Sequence, residues 1–347
     1  VRFVAGAREP ASQGLKGPSQ AHTNPSFQKR SITEPGGWRR KISRPGVIRA
    51  VPAGEQVRSP VPENLLSRRK TQAVRRSAGR DGAQRSKTVA SIYIMTDLEG
   101  VSGIDCAEMI ERDHPRFRES CELLMGDVNA AVEGAFEGGA TRVMVRDGHG
   151  GGPNFIPGLL DPRAEEDPRP AARWWGKLDS SFDATFVVGA HAMAGTLNAF
   201  LDHTQSSVSW HEYTINGRRM GELAQWAIIA GHFGVPLLMV SGDAAACAEA
   251  RAFVQPVETA VVKEAVGRNA ARTVPLPEAR GRIREAARRA VGLIGAARPF
   301  RVDPPLEVVL RFNRSDQCDR AADSPGVERL DARTIRKLAA TALDILP

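Results

Sequence analysis

Cysteine is scarce in this chain: four in 347 residues, Cys106, Cys121, Cys247 and Cys318, at wide and unpatterned spacings. That spacing argues against a disulfide framework or a zinc knuckle and suits reduced thiols. Long apolar runs are missing too. Nothing approaches the roughly 20 residues of a membrane span, and the chain does not open on the apolar core of about 7 to 15 residues that a secretory signal carries. The expectation is a soluble, cytoplasmic protein with no membrane partner. Acidic residues are few at the N-terminal end, where residues 1–90 hold 19 Lys+Arg against 5 Asp+Glu, leaving 29 against 35 in the rest. The net charge of +8 therefore belongs to one segment and not to a recognisable nucleic-acid module, so no nucleic-acid partner is expected. Residues 1–87, rich in Pro, Gly, Ser, Gln and Arg and without sustained periodicity, read as a disordered basic leader. An organellar transit segment and an extension upstream of the true start both fit that composition.

Patterned sequence begins near Thr88. Val89 to Met95 is an apolar, β-branched run ending at Asp97, the signature of a buried strand. Phe117 to Gly138 places Leu124, Val128, Ala131 and Val132 at helical spacing and stops at Gly138-Gly139. Thr141 to Arg146 follows as a strand, completing a βαβ unit. Phe182 to Val188 is a third strand, Ser206 to Ile215 alternates up to the hairpin signal Asn216-Gly217, Gly221 to Phe233 reads as a helix, and Val235 to Val240 as another strand. A helix through Ala252 and a short strand at Thr259 to Val262 come next. Then come a helix over Pro277 to Ile294, a strand at Leu306 to Phe312 and a terminal helix over Ala332 to Leu346. The expected fold is α/β: a mixed, largely parallel sheet flanked by helices over residues 88–265, with a smaller C-terminal α+β domain over 266–347.

Side chains suited to a metal recur where these runs meet loops. Asp97 and Glu99 are two apart, so both carboxylates share a face if strand geometry persists; read alone, they are a strand cap and a loop charge. His149 lies just past a strand in Asp-Gly-His-Gly-Gly-Gly, and His191 repeats the arrangement in Val-Gly-Ala-His. Glu222 opens a helix, where a carboxylate also suits the helix dipole. His149-Gly150-Gly151-Gly152 spells an esterase oxyanion loop, but the chain has no Gly-x-Ser-x-Gly nucleophile elbow to serve it. His211-Glu212 lacks the second histidine of a zincin helix. Open α/β sheets collect such residues at the carboxyl ends of their strands, and two imidazoles with three carboxylates suit a hydrolytic metal centre.

From Ile92 to Asp243 the chain resembles the M55 metallopeptidases, the D-aminopeptidases of the dipeptide-transport type. The resemblance rests on Asp97-Leu98-Glu99-Gly100-Val101-Ser102-Gly103, Val145-Arg146-Asp147-Gly148-His149, Val188-Gly189-Ala190-His191-Ala192-Met193-Ala194, Ile215-Asn216-Gly217 through Gly221-Glu222, and Val235 through Asp243. It implies that Asp97, Glu99, His149, His191 and Glu222 bind two Zn2+ ions per subunit, with Asp97 bridging. It implies a catalytic histidine at His203, and hydrolysis of short peptides or amides with an N-terminal D-amino acid such as D-Ala. A ring-like homo-oligomer enclosing the sites is implied as well. A metal-dependent amidohydrolase acting on a small non-peptide amide and a non-catalytic family member are the alternative readings.

Overall fold

The computed structural model describes residues 90–150, 152–168 and 173–347; the expected leader, residues 1–87, lies outside them. In chain order the elements are β1 (Ala90–Thr96), α1 (Phe117–Glu137), β2 (Ala140–Asp147), β3 (Glu165–Asp167) and β4 (Ala184–Ala190). The hairpin β5 (Trp210–Ile215) and β6 (Arg218–Arg219), α2 (Glu222–His232), β7 (Leu237–Asp243), α3 (Ala244–Phe253), β8 (Glu258–Gly267) and β9 (Ala270–Thr273) follow. The chain continues through α4 (Leu276–Val291), β10 (Leu306–Phe312), α5 (Ser315–Ala322), β11 (Val327–Arg329) and β12 (Thr334–Ala339).

Strand β1 is buried at every residue because helices cover both faces of its sheet. The even-numbered Ile92 and Ile94 point one way, and with Val143, Val145, Phe186 and Val188 they meet α1 and α4. The odd-numbered Tyr93 and Met95 point the other way and, with Val187 and Val240, meet α2 and α3. The sheet runs β3-β2-β1-β4-β7-β8-β9, parallel throughout except for the β8–β9 pair. This is the expected mixed, largely parallel sheet flanked by helices.

A second, antiparallel sheet is ordered β11-β12-β10-β5-β6. It packs on the far side of α2, where Ala224, Ile228 and Ile229 face Tyr213, Ile215, Val308 and Leu310. Helix α2 is therefore enclosed, and every residue from Leu223 to Gly231 is buried. Trp226, at its centre, satisfies its indole N–H by donating to Thr185 Oγ1 at 3.0 Å.

Two expectations, the terminal helix and the start of the strand after Ser206, are corrected. The Ala-rich stretch Ala332 to Leu346 is not a helix: Thr334–Ala339 is strand β12, paired with β10 with Ile335 opposite Leu310. Pairing and the burial of Ile335 override local helix propensity there. Residues 266–347 contribute to both sheets: β9 joins the first, α4 packs on α1, and β10 pairs with β5 from the middle of the chain. The strand expected from Ser206 begins only at Trp210, because Ser206 to Ser209 form a turn closed by Ser206 and Ser209 hydroxyls 2.6 Å apart. The Asn216-Gly217 hairpin is present, with φ of 50° and 74°.

The chain leaves β1 for β2 and β3 on one side and starts β4 on the other, so β1 and β4 flank the switch point of the sheet. Their pairing outruns the strands: Asp97 N–H donates to Val188 O and Gly100 N–H to Gly189 O, both at 2.8 Å. A side chain at Gly100 would overlap the Ala190 carbonyl. Gly100→Ala is expected to lower the unfolding free energy by about 1–3 kcal/mol in urea titrations of chelated protein. An unchanged midpoint would mean that the junction yields freely.

Candidate metal centre

The six residues singled out by sequence, Asp97, Glu99, His149, His191, His203 and Glu222, come together in one cavity. Asp97 and Glu99 leave the end of β1, His149 follows β2, His191 follows β4, and Glu222 is the first residue of α2. His203 is carried by the loop between β4 and β5. His149 Nε2 lies 3.4 Å from Glu99 Oε1. His191 Nε2 lies 3.3 Å from Asp97 Oδ2 and 3.4 Å from Glu222 Oε1. His203 Nε2 is 3.6 Å from Glu222 Oε1 and 3.9 Å from Glu99 Oε1, and its ring stacks on that of His191 at 3.9 Å. The decoy His211 is exposed on β5 and, among the described residues, belongs to none of the groups that could share an ion.

Among the described residues, three groups offer ligand atoms close enough to share an ion: Asp97–Glu99–His149, Asp97–His191–Glu222 and Glu99–His191–His203. The first two have Asp97 in common. The donor set fits a divalent metal of the zinc type, all imidazole nitrogen and carboxylate oxygen. Glu99 Oε2 is buried without a hydrogen-bond partner, the state expected of an oxygen prepared for a cation. Two of the imidazoles are oriented from behind. His191 Nδ1 lies 3.0 Å from the Ala192 carbonyl and His203 Nδ1 lies 2.8 Å from that of Leu201. A carbonyl only accepts, so each Nδ1–H donates and each Nε2 faces the cavity.

Charge is concentrated here. Burial, reinforced by Glu99 and Glu222, pushes the Asp97 carboxyl well above its usual range. Burial works against Glu99 too, but His149, His191 and His203 outweigh it and hold Glu99 well below. Glu222 is lowered in spite of burial, chiefly by His191. Desolvation disfavours charged His149, yet Glu99 carries it up to about 9. His203 is lowered, first by burial and then by the neighbouring His191.

Buried polar groups that no motif announced hold the loops. Lys263 on β8, fully buried, donates Nζ to the carbonyls of Glu99 and Ile104, both at 2.7 Å. Asn154 donates to both carboxylate oxygens of Asp147, through its backbone N–H at 2.7 Å and Nδ2 at 2.8 Å, and to the His149 carbonyl at 3.2 Å. The His203 loop holds Asn198, Leu201 and Gln205 at φ of 56°, 52° and 58°, a conformation disfavoured for leucine above all. It is tied by Phe200 N–H to Asp243 Oδ2 at 3.0 Å, Leu201 N–H to Arg268 O at 2.7 Å and Gln205 N–H to Glu222 Oε1 at 2.7 Å.

A family model described as D-aminopeptidase, Peptidase M55, matches residues 91–347. The chain belongs to the M55 D-aminopeptidase family. A D-aminopeptidase of Bacillus subtilis (strain 168) is 32% identical over 195 residues, 55% of this chain and 70% of the relative. The fold is also that of a solved structure, the Zn-dependent D-aminopeptidase DppA from Bacillus subtilis, described as a self-compartmentalizing protease. The TM-score is 0.70 and the identity 25%, over 74% of this chain and 93% of that one. This M55 protein is thus a metallo-aminopeptidase, a hydrolase of peptide bonds.

Lys263, Asn154 and Glu249 were not legible as site residues in the M55 chain, because a lone Lys, Asn or Glu in an element carries no spacing signal. Glu249, on α3, accepts the Met193 N–H at 2.7 Å behind His191. Burial pushes its carboxyl up to about 7 from an ordinary 4.5, partly opposed by the Met193 N–H and His191. The raised value means that its contribution to stability is present below the unfolded pKa and lost as pH rises through about 7. Glu249→Gln keeps the acceptor and removes the ionisation. In chelated protein it is expected to be more stable than the wild type at pH 8, by on the order of 1–3 kcal/mol, with a flatter urea-midpoint profile between pH 5 and 8. Parallel profiles for the two proteins would refute this.

Proposed function

We propose that the protein is a zinc-dependent aminopeptidase that hydrolyses short peptides or amides bearing an N-terminal D-amino acid, using two metal ions per subunit. The observation that carries this reading is the pair of ligand groups overlapping at Asp97. In that arrangement Glu99 and His149 would hold one ion, His191 and Glu222 would hold the other, and Asp97 would be available to both. When bound, the ions polarise the scissile carbonyl and lower the pKa of the attacking water.

The chain's own residues do the rest. Burial and the neighbouring His191 disfavour the charged form of His203, and its Nε2 faces the cluster. It accepts the proton of the attacking water there and returns it to the leaving amine. Its Nδ1–H bond to Leu201 O prevents the ring from turning away. Carboxylate oxygens not engaged by metal hold the substrate's α-ammonium. The relative's description as self-compartmentalizing supports a ring-like homo-oligomer whose interior admits only short peptides.

After chelation, zinc is expected to restore cleavage of D-alanine p-nitroanilide in preference to the L isomer. Asp97→Ala and His191→Ala should lose bound zinc and at least about a hundredfold in rate. Full zinc content with full activity in either variant would sink the ligand assignment. His203→Ala should keep its zinc by metal analysis while kcat falls about a hundredfold or more; unchanged turnover would make His203 structural.

A further inference from the structure

The cavity that holds the ligand cluster extends beyond it. Its volume is about 510 Å3, within the roughly 300–1,000 Å3 of pockets that take small molecules, and its second wall is apolar. Counting back by two from Asp97 along β1 reaches Met95 on the same face. Val187 of β4 and Leu223 and Trp226 of α2 continue that wall, and Trp174 stands against it, edge-on to Trp226 at 5.8 Å.

Trp174 is held there by a buried polar network. Arg146, 5% exposed, donates Nε to the Trp174 carbonyl at 2.9 Å, and its Nη1 lies 3.4 Å from Asp167. Asp167 accepts from Tyr93 Oη at 2.5 Å and from Lys177 N–H at 2.8 Å. Gly176 turns the chain at φ +59°, and a side chain there would run into Asp167, Arg146 and Tyr93. A buried Arg–Asp–Tyr group is an expensive way to place one surface turn, and its result is an indole wall beside the ligand cluster.

In an aminopeptidase the scissile carbonyl carbon is bonded directly to the Cα of the N-terminal residue. With the carbonyl at the ligand cluster, the side chain on that Cα must enter the adjoining space within a few bonds. We infer that the Met95–Val187–Leu223–Trp174 wall is the pocket for that side chain. The preferred N-terminal residue is then bulky and apolar, branched aliphatic or aromatic, and Trp174 and Leu223 set the preference. This rests on the aminopeptidase reading above and narrows its substrate class. A methyl group would leave the wall uncovered, and each further methylene buried against it favours the larger side chain.

The test compares kcat/KM for D-Ala, D-Leu and D-Phe p-nitroanilides with the zinc-loaded, full-length protein, Trp174→Ala and Leu223→Trp. The wild type is expected to favour D-Leu or D-Phe over D-Ala by at least about tenfold, and that ratio should collapse by about tenfold in both variants. Preference for D-Ala, or a ratio untouched by both substitutions, would overturn the pocket while leaving the hydrolase reading intact. Failure of zinc-loaded wild type to cleave any of the three would overturn the aminopeptidase reading, and the pocket with it.

Discussion

Three carboxylates gathered in one largely buried cavity repel one another and lose hydration, and that electrostatic load is what the surrounding structure answers. Three imidazoles face Asp97, Glu99 and Glu222 within 4 Å, and Glu99 Oε2 still has no partner. Desolvated carboxylates of this kind persist only when cations or donors compensate them. The cluster thus suits a divalent cation, and the fold holds the candidate ligands oriented and partly dehydrated.

The scaffold that holds this load is the β1–β4 switch point. Two parallel strands diverging in connection leave a crevice at their carboxyl ends, and the Asp97 and Gly100 amides lock the two exit loops together across it. Lys263 then ties the Glu99 loop to β8, and Asn154 ties the His149 loop back to Asp147. Helix α2 serves both purposes at once, presenting Glu222 to the carboxylate and imidazole cluster and Leu223 and Trp226 to the apolar wall. Its burial between two sheets makes it a rigid mount, as a site of this precision requires.

The candidate ligands were legible because each sits at the end of a locally recognisable element. A β-branched run followed by a polar residue predicts a strand end without any knowledge of its neighbours. Three strand ends and one helix start carry the five candidates in order. The supports were not legible, since Lys263 acts across 164 residues on Glu99 O and Arg146 acts across 28 residues on the Trp174 carbonyl. Neither contact has a sequence period.

By itself the sequence determined the βαβ succession, the Asn216-Gly217 hairpin and the identities of the metal-ligand candidates, because periodicity, turn chemistry and motif are local properties of the chain. Only the tertiary structure decided that β5 pairs with β10, that the Ala-rich C-terminal stretch becomes β12 rather than a helix, and that Trp174 walls the cavity. Strand pairing and the burial it brings are non-local, and where they compete with weak helix propensity they prevail.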